Sequence, residues 1–104
     1  MARDPKVLAQ VKALLEEITR IAPGHAVELR IPPYAAIQCR EGPKHTRGTP
    51  PNVVEMGAEE FFGLIKGTLD WSDGVSDGRI TASGERSDLS QLFREAAQTI
   101  RIAE

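Results

Sequence analysis

Gly67, Gly78 and Gly84 divide the stretch from Ala58 to Leu89 into short elements, and that spacing constrains the fold more than any other feature of the chain. Glycine adopts the left-handed backbone that ends helices, so each of these residues marks a stop. The first element is an amphipathic helix ended by Gly67. The second is a brief helix opening after Asp70 and ended by Gly78. The third is a strand from Arg79 to Ser83, with Ile80 and Ala82 facing inward. A last helix opens at Ser87 or Asp88, where Asp88 and Gln91 have the form of a capping box. The run holds aromatics and aliphatics but no nucleophile beside a base, which suits a protein that holds an apolar partner better than one that breaks bonds.

Upstream, Asp4-Pro5 is a helix opening. Val7, Leu8, Val11, Leu14, Leu15, Ile18 and Ile21 then recur at steps of three and four, until Pro23-Gly24 ends the pattern. The period changes to two at Val27, Leu29 and Ile31, and again at Ala35, Ile37 and Cys39 beyond the Pro32-Pro33 turn. An antiparallel hairpin is expected, with Cys39 as buried filler. Asn52 to Met56 reads as a short strand with Val54 and Met56 on one face. The last helix carries the stripe Leu89, Leu92, Phe93, Ala96, Ala97 and Ile100.

These elements sum to an α+β fold: a small mixed sheet of four to five strands, covered by N- and C-terminal helices and two short helices. With 104 residues the chain is expected to form a single domain over 1–104. Thirteen Lys and Arg against fifteen Asp and Glu give a net charge of −2, so no global attraction to nucleic acid is expected. One cysteine excludes an internal disulfide and fits a reducing cytoplasm. No window approaches the ~20 apolar residues of a membrane span, and integral membrane association is not expected.

Two places are candidates for a site. Phe61, Phe62, Leu64, Ile65, Leu69 and Trp71 carry more apolar surface than two short helices need. Phe62 lies about a hundred degrees round the helix from Phe61, and requires a second apolar neighbour. Packing on the last helix around Phe93 would supply one; a ligand cavity lined by Phe62, Ile65, Leu69 and Trp71 would supply another. The loop Glu41 to Pro51 gathers Lys44, His45 and Arg47 next to Arg40, and could meet an anionic head group, or Arg47 could pair with Glu55 or Asp88. His25 and His45 have no suitable nucleophile nearby in the pattern. No spacing suggests a metal, a catalytic pair or a nucleotide cofactor.

Phe61, Leu64, Gly67, Gly78, Arg79-Ile80 and Gly84 resemble the pattern of the sterol carrier protein family. The segments His45 to Glu55 and Ser83 to Ser90 look like its bacterial branch, typical of actinomycetes. The likeness runs from about Val27 to Phe93. It implies a sheet of five strands, one of which would fall where Glu41 to Pro51 stands. It also implies a small soluble, non-catalytic binding protein that holds a fatty acid, sterol or other apolar molecule between sheet and short helices, through Phe62, Ile65, Leu69 and Trp71, with Arg47 and His45 near the entrance. The same domain occurs beside a mycothiol-dependent isomerase in relatives, so the alternative is a ligand-free interaction module that forms a homodimer.

Overall fold

The computed structural model describes residues 3–42 and 52–100. The order of elements is α1 (Pro5–Ile21), β1 (Val27–Ile31), β2 (Ala35–Cys39), β3 (Asn52–Met56), α2 (Ala58–Lys66), α3 (Trp71–Ser76), β4 (Ile80–Ser83) and α4 (Ser90–Thr99). Among the described residues there are four strands, in the order β2-β1-β3-β4. β1 pairs antiparallel with β2 and parallel with β3, and β4 pairs antiparallel with β3. The fold is thus α+β with a mixed sheet. A strand between Glu41 and Pro51 would lie largely outside the described residues; Glu41 and Gly42 themselves are irregular.

Alternation decides which face of the sheet is covered. Val27, Leu29 and Ile31 are buried together with Cys39, Val54, Met56 and Ile80, and they share one core with Val11, Leu15 and Ile18 of α1 and Phe61 of α2. Burying each of these large aliphatic or aromatic side chains contributes roughly 1.5–3 kcal/mol. The opposite face carries Glu28, Arg30, Gln38, Glu55 and Thr81. There Arg30 pairs with Glu28 and lies 4.0 Å from Glu55. One face is therefore apolar and roofed by helices, and the other is polar.

Helix boundaries follow the caps. Asp4 accepts from the backbone N–H of Lys6 at 2.9 Å and Pro5 occupies the first turn. α2 ends at Gly67, whose φ of 83° lies in the left-handed region, and Gly78 has a φ of 82°. At the last helix the expected capping box does not form. The helix begins at Ser90, and Asp88 instead turns the chain by accepting from the backbone N–H of Ser90 at 2.9 Å.

The fourth strand departs from expectation in two respects. It begins at Ile80, because Arg79 is drawn aside into a 2.7 Å ion pair with Asp77. Ala82 sits opposite Val54 in the register and so faces the helical side, yet it is exposed, since the helical layer covers that strand only at Ile80.

Two residues hold the sheet to its neighbours. Asn52, only 5% exposed, donates to the carbonyl of Ala26 at 2.8 Å and accepts from the N–H of Arg86 at 2.9 Å. One side chain thus joins β1, β3 and the approach to α4. Gly74, buried in α3, lets that helix approach β4 closely: a Cβ there would fall 2.4 Å from Cδ1 and 2.9 Å from Cγ1 of Ile80. Asn52→Ala is expected to lower stability by about 2–3 kcal/mol in urea unfolding, because it leaves the buried carbonyl of Ala26 and the partly buried N–H of Arg86 unpaired. Gly74→Ala is expected to cost about 1–3 kcal/mol despite alanine's better helix propensity. Ile80→Val in the same chain should recover part of that loss.

Candidate functional site

The register of α2 turns Phe61, Leu64 and Ile65 onto the sheet, where all three are buried. Phe93 of α4 meets this surface, with the ring of Phe61 edge-on to it at 6.1 Å. Trp71, the first residue of α3, stacks on Phe93 at 6.0 Å with an interplanar angle of 21°. Trp71 is placed there by Asp70, whose carboxylate accepts from the N–H of Ser72 at 3.1 Å and starts the helix. The ring neighbours of Phe93 are therefore Phe61 and Trp71. Phe62, one position further round, is half-buried with its ring 6.2 Å from that of Phe61.

Next to the stacked pair the helical layer has an opening. A groove of about 180 Å³ lies between the α2–α3 connection and α4, lined by Leu64, Gly67, Leu69, Trp71, Phe93 and Ala97. Asp70, Ser90 and Arg94 form its polar border. The structure brings Leu69 and Trp71 together in this groove. It packs Ile65 into the core at 1% exposure, and it leaves Phe62 outside the lining of the groove. His45 and Arg47 lie outside the described residues, as does any pairing of Arg47 with Glu55 or Asp88.

A second, larger cleft of about 480 Å³ lies along the other side of α4's first turns, between Arg40, Glu85, Asp88 and Gln91. Ser90 and Arg94 border both hollows. They are one turn apart, so they form a stripe with Phe93 and Ala97 on one flank and Gln91 on the other. Arg40 closes the cleft with its chain in the left-handed region, at a φ of 67°. That backbone is held from both sides: its N–H donates to the carbonyl of Ala22 at 2.8 Å and its carbonyl accepts from Ala26 at 3.1 Å. Its guanidinium donates to the carbonyls of Arg86 at 2.6 Å and Asp88 at 3.1 Å. The Asp88 carboxyl is held below the usual carboxylate range by the Ser90 backbone N–H, then by the Ser90 side chain, with the charges of Arg40 and Arg94 adding to the effect.

Arg94, Ser90 and Arg40 went unremarked as site residues in the sequence, apart from the placement of Arg40 next to the basic loop. Only the fold brings residue 40 to residues 86–94. A signal was present in Ser90 and Arg94, polar residues four apart beside the apolar stripe of α4, but solvated helix faces carry such pairs routinely.

Among the described residues no group of three His, Cys, Asp or Glu is placed to hold a metal ion, and no helix is long and apolar enough to cross a membrane. Cys39 is fully buried, and burial pushes its thiol up to about 11, against a smaller opposing effect of Arg40. A raised thiol pKa favours the neutral form, so this contribution to stability is present below the unfolded value of about 8.5 and is lost as pH rises through about 11.

This α+β architecture, with one sheet face roofed by helices, is similar to that of sterol carrier structures. Two solved structures show the likeness. The sterol carrier protein domain 2 of Helicoverpa armigera has 18% identity and a TM-score of 0.54, with 99% of each chain covered. A structure named UbiJ-SCP2 ubiquinone synthesis protein has 13% identity and a TM-score of 0.51, with 94% of each chain covered. No curated protein matches the sequence. The model of the bacterial SCP ortholog family matches residues 3–94, and the chain belongs to that family.

The burial of Cys39 yields a direct check. In the native protein the thiol should react with a disulfide reagent at pH 8 at least about a hundredfold more slowly than in urea-unfolded protein. Reaction at equal rates in both states would show that the strand β2 edge is open.

Proposed function

We propose that the chain is a small non-catalytic carrier that holds an apolar or acyl ligand, with the chain of the ligand seated against Leu64, Leu69, Trp71 and Phe93. Membership of the bacterial SCP ortholog family supports a carrier role, and the groove beside the Trp71–Phe93 stack is the observation that carries the site. At about 180 Å³ the groove is smaller than the ~300 Å³ at which small-molecule sites begin, so a sterol or a long acyl chain needs more room than it offers. The room is gained by moving α3. That helix has six residues, stacks Trp71 on Phe93 of α4 and is seated on Ile80 of β4 through Gly74, so the movement is a swing at its Trp71 end. Once Trp71 tilts away, Ile65 and Phe62 become the inner wall of a wider cavity beneath the short helices.

The alternative of a ligand-free dimerisation module finds less support. Val75, at 40%, is the exposed large hydrophobic residue among those described, and the uncovered sheet face carries Glu28, Arg30 and Glu55. An interface core of ordinary composition would be richer in aromatic and aliphatic side chains and poorer in charge.

Trp71 is the chain's one tryptophan, so its fluorescence reports on the groove directly. Titration with tetradecanoic acid and with cholesterol is expected to give a saturable change for at least one of them, and native mass spectrometry a one-to-one adduct. Trp71→Phe should keep the adduct and lose the optical signal. A bare mass with a flat fluorescence trace for both ligands would remove the carrier reading.

A further inference from the structure

Close contacts seat α3 on both sides of Trp71. Behind it, Gly74 lies on Ile80 of β4 so closely that a Cβ at residue 74 would fall 2.9 Å from Cγ1 of Ile80 and nearer still to its Cδ1. Three residues join that end of α3 to β4, and the 2.7 Å ion pair of Asp77 with Arg79 lies across the join. Ahead of it, the backbone N–H groups of Thr68 and Leu69 donate to the carbonyl of Gly63 at 2.9 and 3.1 Å. Between these seats stand Asp70 and the first turn of α3, where Trp71 borders the groove. Resting on the carrier reading above, we propose that the contact of Gly74 with Ile80 sets the width of the groove, and that the site selects a slender single-chain ligand over a rigid fused-ring one.

Trp71 and Gly74 are one turn apart on the same side of α3, so the height of Gly74 over Ile80 fixes that of Trp71 over Phe93. Ile80 is 1% exposed and packed in the core, so its side chain has no free space into which to yield. An opening that starts from this seat is a wedge, wide at Trp71 and closed at Gly74. A single alkyl chain is narrow along its whole length, and it needs little beyond the 180 Å³ of the closed groove. A fused four-ring nucleus is broad and cannot bend. To admit it, α3 would have to leave Ile80 along its length and lose the dispersion contacts made there.

Tetradecanol and cholesterol, each delivered from methyl-β-cyclodextrin, carry the same single hydroxyl on frames of different girth. Affinities are read by native mass spectrometry and Trp71 fluorescence, and far-UV circular dichroism confirms that the variants are folded. The native chain should bind tetradecanol about tenfold more tightly than cholesterol, a discrimination within reach of an apolar pocket. Gly74→Ala pushes α3 off Ile80 and should bring the two affinities within about twofold, by improving that for cholesterol. Ile80→Val in the same chain removes Cδ1, the atom nearest residue 74, and should restore the native preference. Gly78→Ala controls for lost stability alone. Gly78 has a φ of 82°, and among the described residues nothing lies within 4 Å of a Cβ there, so alanine strains the backbone without pressing on Ile80 and the preference should stay native. Equal native affinities, a native preference for cholesterol, or a preference that Gly74→Ala leaves unchanged or Gly78→Ala shifts equally overturns the Gly74 seat and leaves the carrier reading standing. The native comparison needs no variant, so it can overturn the proposal even where Gly74→Ala does not fold. A native chain that binds neither ligand overturns both readings.

Discussion

The ring of Phe93 sits where three helices must agree. The ring of Phe61 of α2 stands nearly perpendicular to it, Trp71 of α3 stacks on it, and its own helix α4 holds it over the sheet. Aromatic pairs of this kind contribute about 0.5–1.5 kcal/mol beyond the area they bury. The two contacts differ in what lies behind them. Phe61 is fully buried in a helix packed on the sheet. Trp71 is half-buried and opens a helix of six residues. The edge contact is thus part of the core, and the stacked contact, at the border of the groove, is the one that the proposed carrier function opens.

From this follows the division of labour in the fold. The sheet and α1 supply the fixed floor, and the polar clasp of Asn52 and Arg40 ties the strand ends to the approach of α4. α4 is therefore held at its start by hydrogen bonds and in its middle by Phe93. The groove and the second cleft lie on either flank of that held segment.

Much of this was legible in the sequence. The period-two runs at Val27 and Ala35, the helical stripe from Val7 and the stops at Gly67 and Gly78 are local signals, and local hydrogen bonding and sterics realise them where they stand. The resemblance carried by Phe61, Leu64 and the spaced glycines pointed to the family that the chain belongs to. What failed to show was pairing at a distance. Whether Phe61 or Phe62 meets Phe93 depends on a rotation of about a hundred degrees about α2, which apolar spacing alone does not resolve when both positions are phenylalanine. The exposure of Ala82 depends on where a neighbouring helix stops. The role of Arg40 depends on carbonyls of Arg86 and Asp88, more than forty residues away in the chain.

The central claim is that the helical roof yields at Trp71 to admit an apolar chain. Amide chemical-shift mapping by NMR during titration with tetradecanol tests it most directly. The largest saturable shifts are expected at Gly67 to Trp71 and Phe93 to Ala97, with β1 and β3 nearly still. Shifts concentrated on Glu28, Arg30 and Glu55 of the uncovered sheet face would contradict it.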